Sequence, residues 1–267
     1  MKKNIVFFIS YLVLSLNLFS QEIKESNFSK FKSFFNNNDA NSGLNEIPLS
    51  LCHKILNNNM VDEYVVSIHA CNIYEKGENI YAIIELMYPE GGYSSSYTLI
   101  LFSNEGKLES SISVGYNMLD ADGGVQSKLN MINDSLLEVK KENVKYNDEE
   151  KKEVYKTEYS YFVINEQGVN NIEIQEVSKG RLYPKASNII LCLSELKNIT
   201  KDDLDIMRNE IFADHGYIFK SQKWKDYFAD KPWYTPRYED VNDKLSVIEK
   251  INIQTISELS KNNSKAP

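Results

Sequence analysis

The sequence predicts an α+β fold: an N-terminal antiparallel β-sheet domain with short helices, followed by a small all-α C-terminal domain. Three observations carry this. Between Tyr64 and Val177 about eight short β-prone runs follow one another, separated by turn residues. No helix-period segment of useful length interrupts them, so antiparallel pairing fits better than β-α-β units. From Leu191 onward the apolar spacing changes to that of helices.

The chain opens with Lys2 and Lys3, then an apolar run from Ile5 to Leu16 broken by Ser10 and Ser15. The run is short for a membrane span, which needs roughly 20 apolar residues, and has the length of a secretory signal core. Residues 1–20 are therefore expected to be a signal peptide cleaved after Ser20. No Cys stands near that point, so a lipid anchor is not indicated. Removing Lys2 and Lys3 takes the formal charge from -8 to -10. An acidic surface of this kind disfavours nucleic acid and anionic membrane faces as partners.

Residues 21–45 read as a helical and loop leader. Phe28, Phe31 and Phe35 recur at helical spacing, and 36–43 is a loop by composition. Pro48 opens a second helical stretch, Leu49 to Leu56, and the β domain is expected over 46–178. Its strands are read at Tyr64–Tyr74, Ile80–Tyr88, Tyr97–Phe102, Leu108–Val114, Leu129–Ile132, Leu136–Val139, Val154–Ile164 and Val169–Val177. Gly180, Pro184 and several charges make 179–188 a linker. The helical domain then runs over 189–262, and 263–267 is expected to be a disordered tail.

Cysteine is sparse, at Cys52, Cys71 and Cys192. An oxidising compartment permits one bridge, and Cys52 with Cys71 is the pair within one half of the chain. Sparse, unevenly spaced cysteines more often serve as small buried apolar groups. They show no metal-ligand spacing. Asp120-Ala121-Asp122-Gly123-Gly124 invites a calcium reading, but the twelfth position counted from Asp120 is Met131, where a calcium loop needs glutamate. It reads as a turn. No metal and no cofactor is expected, and no Gly-x-Ser-x-Gly elbow, His-Glu-x-x-His or phosphate loop is present.

In the C-terminal part, Thr200 with Asp203 makes a helix-start signal, with Leu204, Met207 and Ile211 following at helical spacing. Gly216 is a natural left-handed stop. A helix is thus predicted from Lys201 to His215. Ser221 precedes a second, with Trp224, Tyr227 and Phe228 on its apolar face. Pro232 and Pro236 bracket Trp233-Tyr234. A last helix begins at Asn242 or Asp243 and carries Leu245, Ile248, Asn252, Ile256 and Leu259.

The string Met207-Arg208-Asn209-Glu210-Ile211-Phe212-Ala213-Asp214-His215-Gly216-Tyr217-Ile218-Phe219, with Trp224-Lys225-Asp226-Tyr227-Phe228 and Pro232-Trp233-Tyr234, resembles the YARHG domain. That family is named for Tyr-Ala-Arg-His-Gly, where this chain has Phe212-Ala213-Asp214-His215-Gly216. Asp214 reverses the charge of the family's arginine, so no role of that arginine transfers. The resemblance spans roughly 190–260. It implies an exported bacterial protein, periplasmic or extracellular, and implies no reaction.

The candidate binding residues are Arg208, Asn209, Glu210, His215, Trp224, Trp233 and Tyr234. No catalytic residue is assigned. His215 shares the apolar face of its helix with Ile211, so the plainest expectation is that His215 and Asn209 hydrogen-bond loop backbone. Trp233 and Tyr234 fit either a stacking platform or the core of a small domain. The leading functional expectation is a non-catalytic binding or structural module whose partner is a cell-envelope glycan or protein. The alternatives are an envelope hydrolase built on His215 with Glu210 or Asp214, and an inhibitor or accessory subunit of another secreted protein. Oligomeric state is not legible.

Overall fold

The computed structural model describes residues 26–35, 45–57, 60–89, 93–146 and 152–263. The expected signal segment, the Gly91-Gly92 loop tip and residues 264–267 of the expected tail lie outside them. The chain forms two compact units, dividing between Asn171 and Ile172. A nine-stranded antiparallel sheet occupies the first and helices the second.

The strands are β1 (Asn45–Glu46), β2 (Ser67–Lys76), β3 (Asn79–Tyr88), β4 (Tyr93–Ser103), β5 (Leu108–Leu119), β6 (Gly123–Asn133), β7 (Leu136–Tyr146), β8 (Lys152–Asn165) and β9 (Gly168–Ile172). They lie side by side in chain order. A strand stands at each expected position, several longer than their apolar cores suggest; the last stops at Ile172 rather than Val177, and β1 is an addition. Helix α1 covers 26–33 and α2 covers Leu49–Ile55.

Strand β3 explains how the unit is built. Successive side chains of a strand point to opposite faces. Ile80, Ala82, Ile84 and Leu86 face one core with Phe28 and Phe31 of α1, Leu51 and Cys52 of α2, and Ile100 and Phe102 of β4. Tyr81 and Ile83 face a second core with Leu99, Val114, Leu137, Val139, Phe162 and Ile164. Both faces of β3 are thus covered, which is why its sequence is nearly continuously apolar. Each such fully buried aliphatic side chain contributes about 1.5–3 kcal/mol. Phe28 and Phe31 pack on Phe102 with ring centroids 4.9 and 5.7 Å away.

The second core joins β3–β5 to β7–β8, so the sheet curls over itself. The curl begins between β5 and β6, whose ladder is confined to Met118↔Val125 and Leu119↔Gly124 beside the turn. That turn is held by Asp120 Oδ1, which accepts from the Asp122 and Gly123 amides at 2.9 and 3.0 Å. This is the turn reading of Asp120–Gly124. Further along, side chains replace the ladder. Ser127 Oγ accepts from the Tyr116 amide and donates to the Tyr116 carbonyl, at 3.1 and 2.6 Å. The far ends of the curl are tied by Asn79 Nδ2 donating to the Glu166 carbonyl at 2.7 Å and by Tyr81 Oη donating to the Asn165 carbonyl.

The second core also holds a polar knot. Fully buried Glu85 accepts from Ser95 Oγ at 2.5 Å, and Asn117 Nδ2 reaches Ser95 Oγ and Tyr97 Oη at 3.1 and 3.2 Å. The cysteines are free thiols. Cys52 sits in the helix-side core and Cys71 against the other, and burial pushes both thiols up to about 12.

Gly106 and Gly168 separate backbone strain from packing. Both have positive φ, 79° and 129°. A Cβ on Gly106 would meet the Phe28 ring 2.3 Å away, whereas one on Gly168 meets nothing within 4 Å. Gly106→Ala is expected to destabilise the sheet unit by about 2–4 kcal/mol, and Gly168→Ala by about 1–2. Urea unfolding followed by far-ultraviolet circular dichroism checks the order, and equal losses would contradict the packing account.

Candidate functional site

The helical unit contains α3 (Lys185–Asn188), α4 (Leu193–Leu196), α5 (Lys201–Asp214), α6 (Gln222–Ala229) and α7 (Val247–Asn263). Helix α5 begins where Thr200 predicts. The Thr200 side chain accepts from the Asp203 amide at 3.2 Å and donates to the Asp203 carboxylate at 2.6 Å. It ends at Gly216, whose φ is 78°, and a Cβ there would lie 3.0 Å from the Thr235 carbonyl oxygen. The last helix starts later than its sequence suggests, at Val247.

Leu204, Met207 and Ile211 of α5 pack with Leu245 and with Ala186, Leu196 and Ile256. Fully buried Asn252 of α7 stitches this core to the chain before α4. Its Nδ2 donates to the Ala186 and Ile189 carbonyls, both at 2.7 Å, and its Oδ1 accepts from the Leu191 amide at 3.0 Å.

Residues 179–188 are packed into this unit. The Arg181 side chain is completely buried; its Nη1 lies 2.7 Å from Asp214 Oδ2 and 2.9 Å from Ser187 Oγ, and its Nε 3.9 Å from Glu210. The Glu210 carboxylate accepts from the Leu182 and Tyr183 amides, both at 2.9 Å. Asp214 is thus matched by a cation 33 positions earlier in the chain. His215 Nε2 lies 2.8 Å from Glu249 Oε2, which also accepts from the Ser246 amide at 2.9 Å. Burial pushes the Glu249 carboxyl up, but hydrogen bonds from His215, Ser187 and the Ser246 backbone outweigh it, leaving it below an ordinary glutamate.

The opposite side of α5 builds a cleft. Arg208 lies 4.8 Å over the Phe212 ring and donates from Nε to Ser257 Oγ at 3.1 Å. Burial lowers its guanidinium from the ordinary value. Past Gly216 the chain turns back on itself. The Arg237 and Tyr238 amides donate to the Gly216 carbonyl at 2.8 and 2.9 Å, and the Ile218 amide to the Tyr238 carbonyl at 2.8 Å. This brings 239–242 across from α5. The result is an open cleft of about 530 Å³ whose walls include Arg208, Asn209, Tyr217, Trp224, Glu239 and Asp240.

The seven residues singled out from sequence therefore separate into three groups. Arg208, Asn209 and Trp224 line the cleft. Glu210 and His215 belong to the buried polar network. Trp233 and Tyr234 pack into an aromatic cluster with Phe219 and Phe228, Trp233 lying 5.8 Å from the Phe228 ring and Tyr234 donating to the Tyr217 carbonyl at 2.7 Å. His215 and Asn209 find partners other than loop backbone: a carboxylate for His215, and for Asn209 the Asp205 carbonyl one turn earlier on the same helix, at 2.7 Å. Sequence reading missed Arg181, Glu249 and the 239–242 wall. The signal for the first was Asp214 itself, since a carboxylate largely withdrawn from water calls for a cation.

These features define a two-unit α+β protein: a curled antiparallel sheet, then a helical unit with an internal charge network and one open cleft beside α5. Residues 179–261 match the family model described as the YARHG domain, so the C-terminal part of the chain carries that domain. The match takes in Arg181 as well as the motif. No curated protein and no solved structure matches the chain. No helix among the described residues is long and apolar enough to cross a membrane.

A carboxyl whose folded value is depressed adds stability above its unfolded value and loses it as pH falls through the folded one. Glu249 is such a group, with an ordinary value of 4.5. Both tryptophans lie in the helical unit, so their fluorescence follows that unit alone. Glu249→Gln is expected to cost about 1–3 kcal/mol at pH 7 and to flatten the loss of urea resistance below pH 4.5. A variant with the same pH profile as wild type would remove Glu249 from the account.

Proposed function

We propose that the chain is an exported, non-catalytic binding protein of the cell envelope, and that its YARHG domain binds through the cleft beside α5. The observation that carries this is the gathering of Arg208 and Asn209 of α5 with Trp224 of α6 in the lining of one cleft. Small-ligand sites are clefts of about 300–1,000 Å³ that carry aromatic surface and fixed polar groups; this cleft has that size, and Tyr217, Phe219 and Trp224 stand in it among a majority of polar residues. Export is supported by the Lys2-Lys3 and Ile5–Leu16 pattern and by the YARHG match, which is consistent with an exported protein.

The hydrolase alternative needs Glu210 or Asp214 to work with His215. Both carboxylates are engaged elsewhere, Glu210 with two backbone amides and Asp214 with Arg181, while His215 is held by Glu249. None of the three is among the residues that line the cleft, so the named pair is not assembled where a substrate would enter. The geometry therefore favours binding over catalysis.

Immobilised wild-type chain is expected to retain a component of cell-envelope extracts. Trp224→Ala should cut that retention about tenfold or more, the order of losing a central aromatic contact, while leaving the urea midpoint of the sheet unit unchanged. Retention that is equal in the two chains, or absent in both, would contradict the cleft as the binding site.

A further inference from the structure

The cleft's charges narrow the ligand class; this step rests on the binding reading above. Arg208 contributes a part-buried guanidinium that bonds a serine hydroxyl, lies over an aromatic face and is attracted by Asp205 one turn earlier on α5, with no direct ion pair among the described residues. Taking a cation out of water without a directly paired counter-ion is costly. The Ser257 bond fixes Nε and the Phe212 ring fixes the plane, so the remaining N–H groups of the fork are held ready on the cleft wall. A fork so fixed matches a carboxylate, which it binds through two parallel hydrogen bonds.

The other charges on the walls are Lys220, Glu239 and Asp240. With Arg208 they amount to two cations and two carboxylates, so the cleft is neutral as a whole. Asp240 is fixed by its own turn, accepting from the Asn242 amide at 2.8 Å. The carboxylates come from the returning 239–242 segment, Arg208 from α5 and Lys220 from the stretch between α5 and α6, so cations and carboxylates enter the cleft from different segments. A phosphate dianion would meet two carboxylates here. A neutral sugar would leave the guanidinium without a directly paired counter-ion. A ligand with one negative and one positive end satisfies both sets of charges.

We propose that the cleft recognises a zwitterion of the amino-acid type, with Arg208 taking its carboxylate, Glu239 and Asp240 its ammonium, and Trp224 stacking against its body. The source is a free amino acid or the end of a short peptide. The space suits either, since about 530 Å³ lies within the range of small-ligand sites.

The test titrates the full chain with alanyl-leucine while following tryptophan fluorescence and ligand proton resonances. Parallel titrations use the N-acetylated dipeptide, the C-terminal amide, free leucine, and a neutral disaccharide of N-acetylglucosamine. The free dipeptide is expected to bind at least about tenfold more tightly than either capped form. Leucine against dipeptide tells the two sources apart. Arg208→Met should erase the preference for the free carboxylate, and Glu239→Gln with Asp240→Asn the preference for the free amine. Equal binding of capped and uncapped dipeptide by wild type would overturn the proposal, whatever the variants do. Binding of the disaccharide with no response to any zwitterion would also overturn it, yet leave the cleft a binding site. No response to any probe, together with no retention of envelope material, would remove the binding reading too.

Discussion

The helical unit depends on one buried cation. Arg181 stands in the interior with Asp214 and Glu210 beside it, and Glu249 lies in the same interior with His215. Two buried carboxylates, Glu210 and Glu249, and a third, Asp214, that is largely covered would be prohibitive without compensation. Arg181 supplies it for two of them, and backbone amides or His215 supply the rest. Removing one partner of such a pair typically costs about 3–5 kcal/mol, because the other charge stays buried and unmatched. The same contacts fix how α5 is turned. Residues two apart on a helix point about 200° from each other. Holding Glu210 and Asp214 inward therefore sends Arg208 and Phe212 to the opposite side, where the cleft lies.

The sheet unit is governed by a different constraint. A nine-stranded sheet with a strand buried on both faces needs a cover for each. The short helices α1 and α2 cover one face, and the sheet covers the other by curling. Curling requires β5 and β6 to part, and the Ser127 and Asn117 side chains satisfy backbone groups left open there. The exposed stretch of β5 carries Tyr116 and Met118, and Lys141 lies 4.9 Å over the Tyr116 ring.

Most of the fold is legible locally. Alternation marks the strands, Thr200 and Gly216 bracket α5, and the Phe28, Phe31, Phe35 spacing marks α1. These are short-range signals, decided by residues within a few positions of each other. What is not legible depends on residues far apart in sequence. Gly180, Pro184 and the charges around them read as a linker because nothing local shows that Arg181 will be matched by Asp214, 33 positions later. The cleft is hidden for the same reason: its second wall exists because 237–238 returns to pair with Gly216. Of the motif's polar residues, helical geometry separates Arg208 from Glu210 correctly. It gives no hint that His215 ends on Glu249.

The helical unit rests on the pairing of Arg181 with Asp214, and a double-mutant cycle measures that pairing. Arg181→Met, Asp214→Leu and the double variant would be compared by urea unfolding, followed through the tryptophan fluorescence of the helical unit. Each single change is expected to be severe, and the double change to cost less than their sum by about 2 kcal/mol or more, because removing both charges leaves neither stranded. Single losses that add to within about 0.5 kcal/mol would show that the two residues act independently, and the buried cation would lose its place as the feature on which the unit depends.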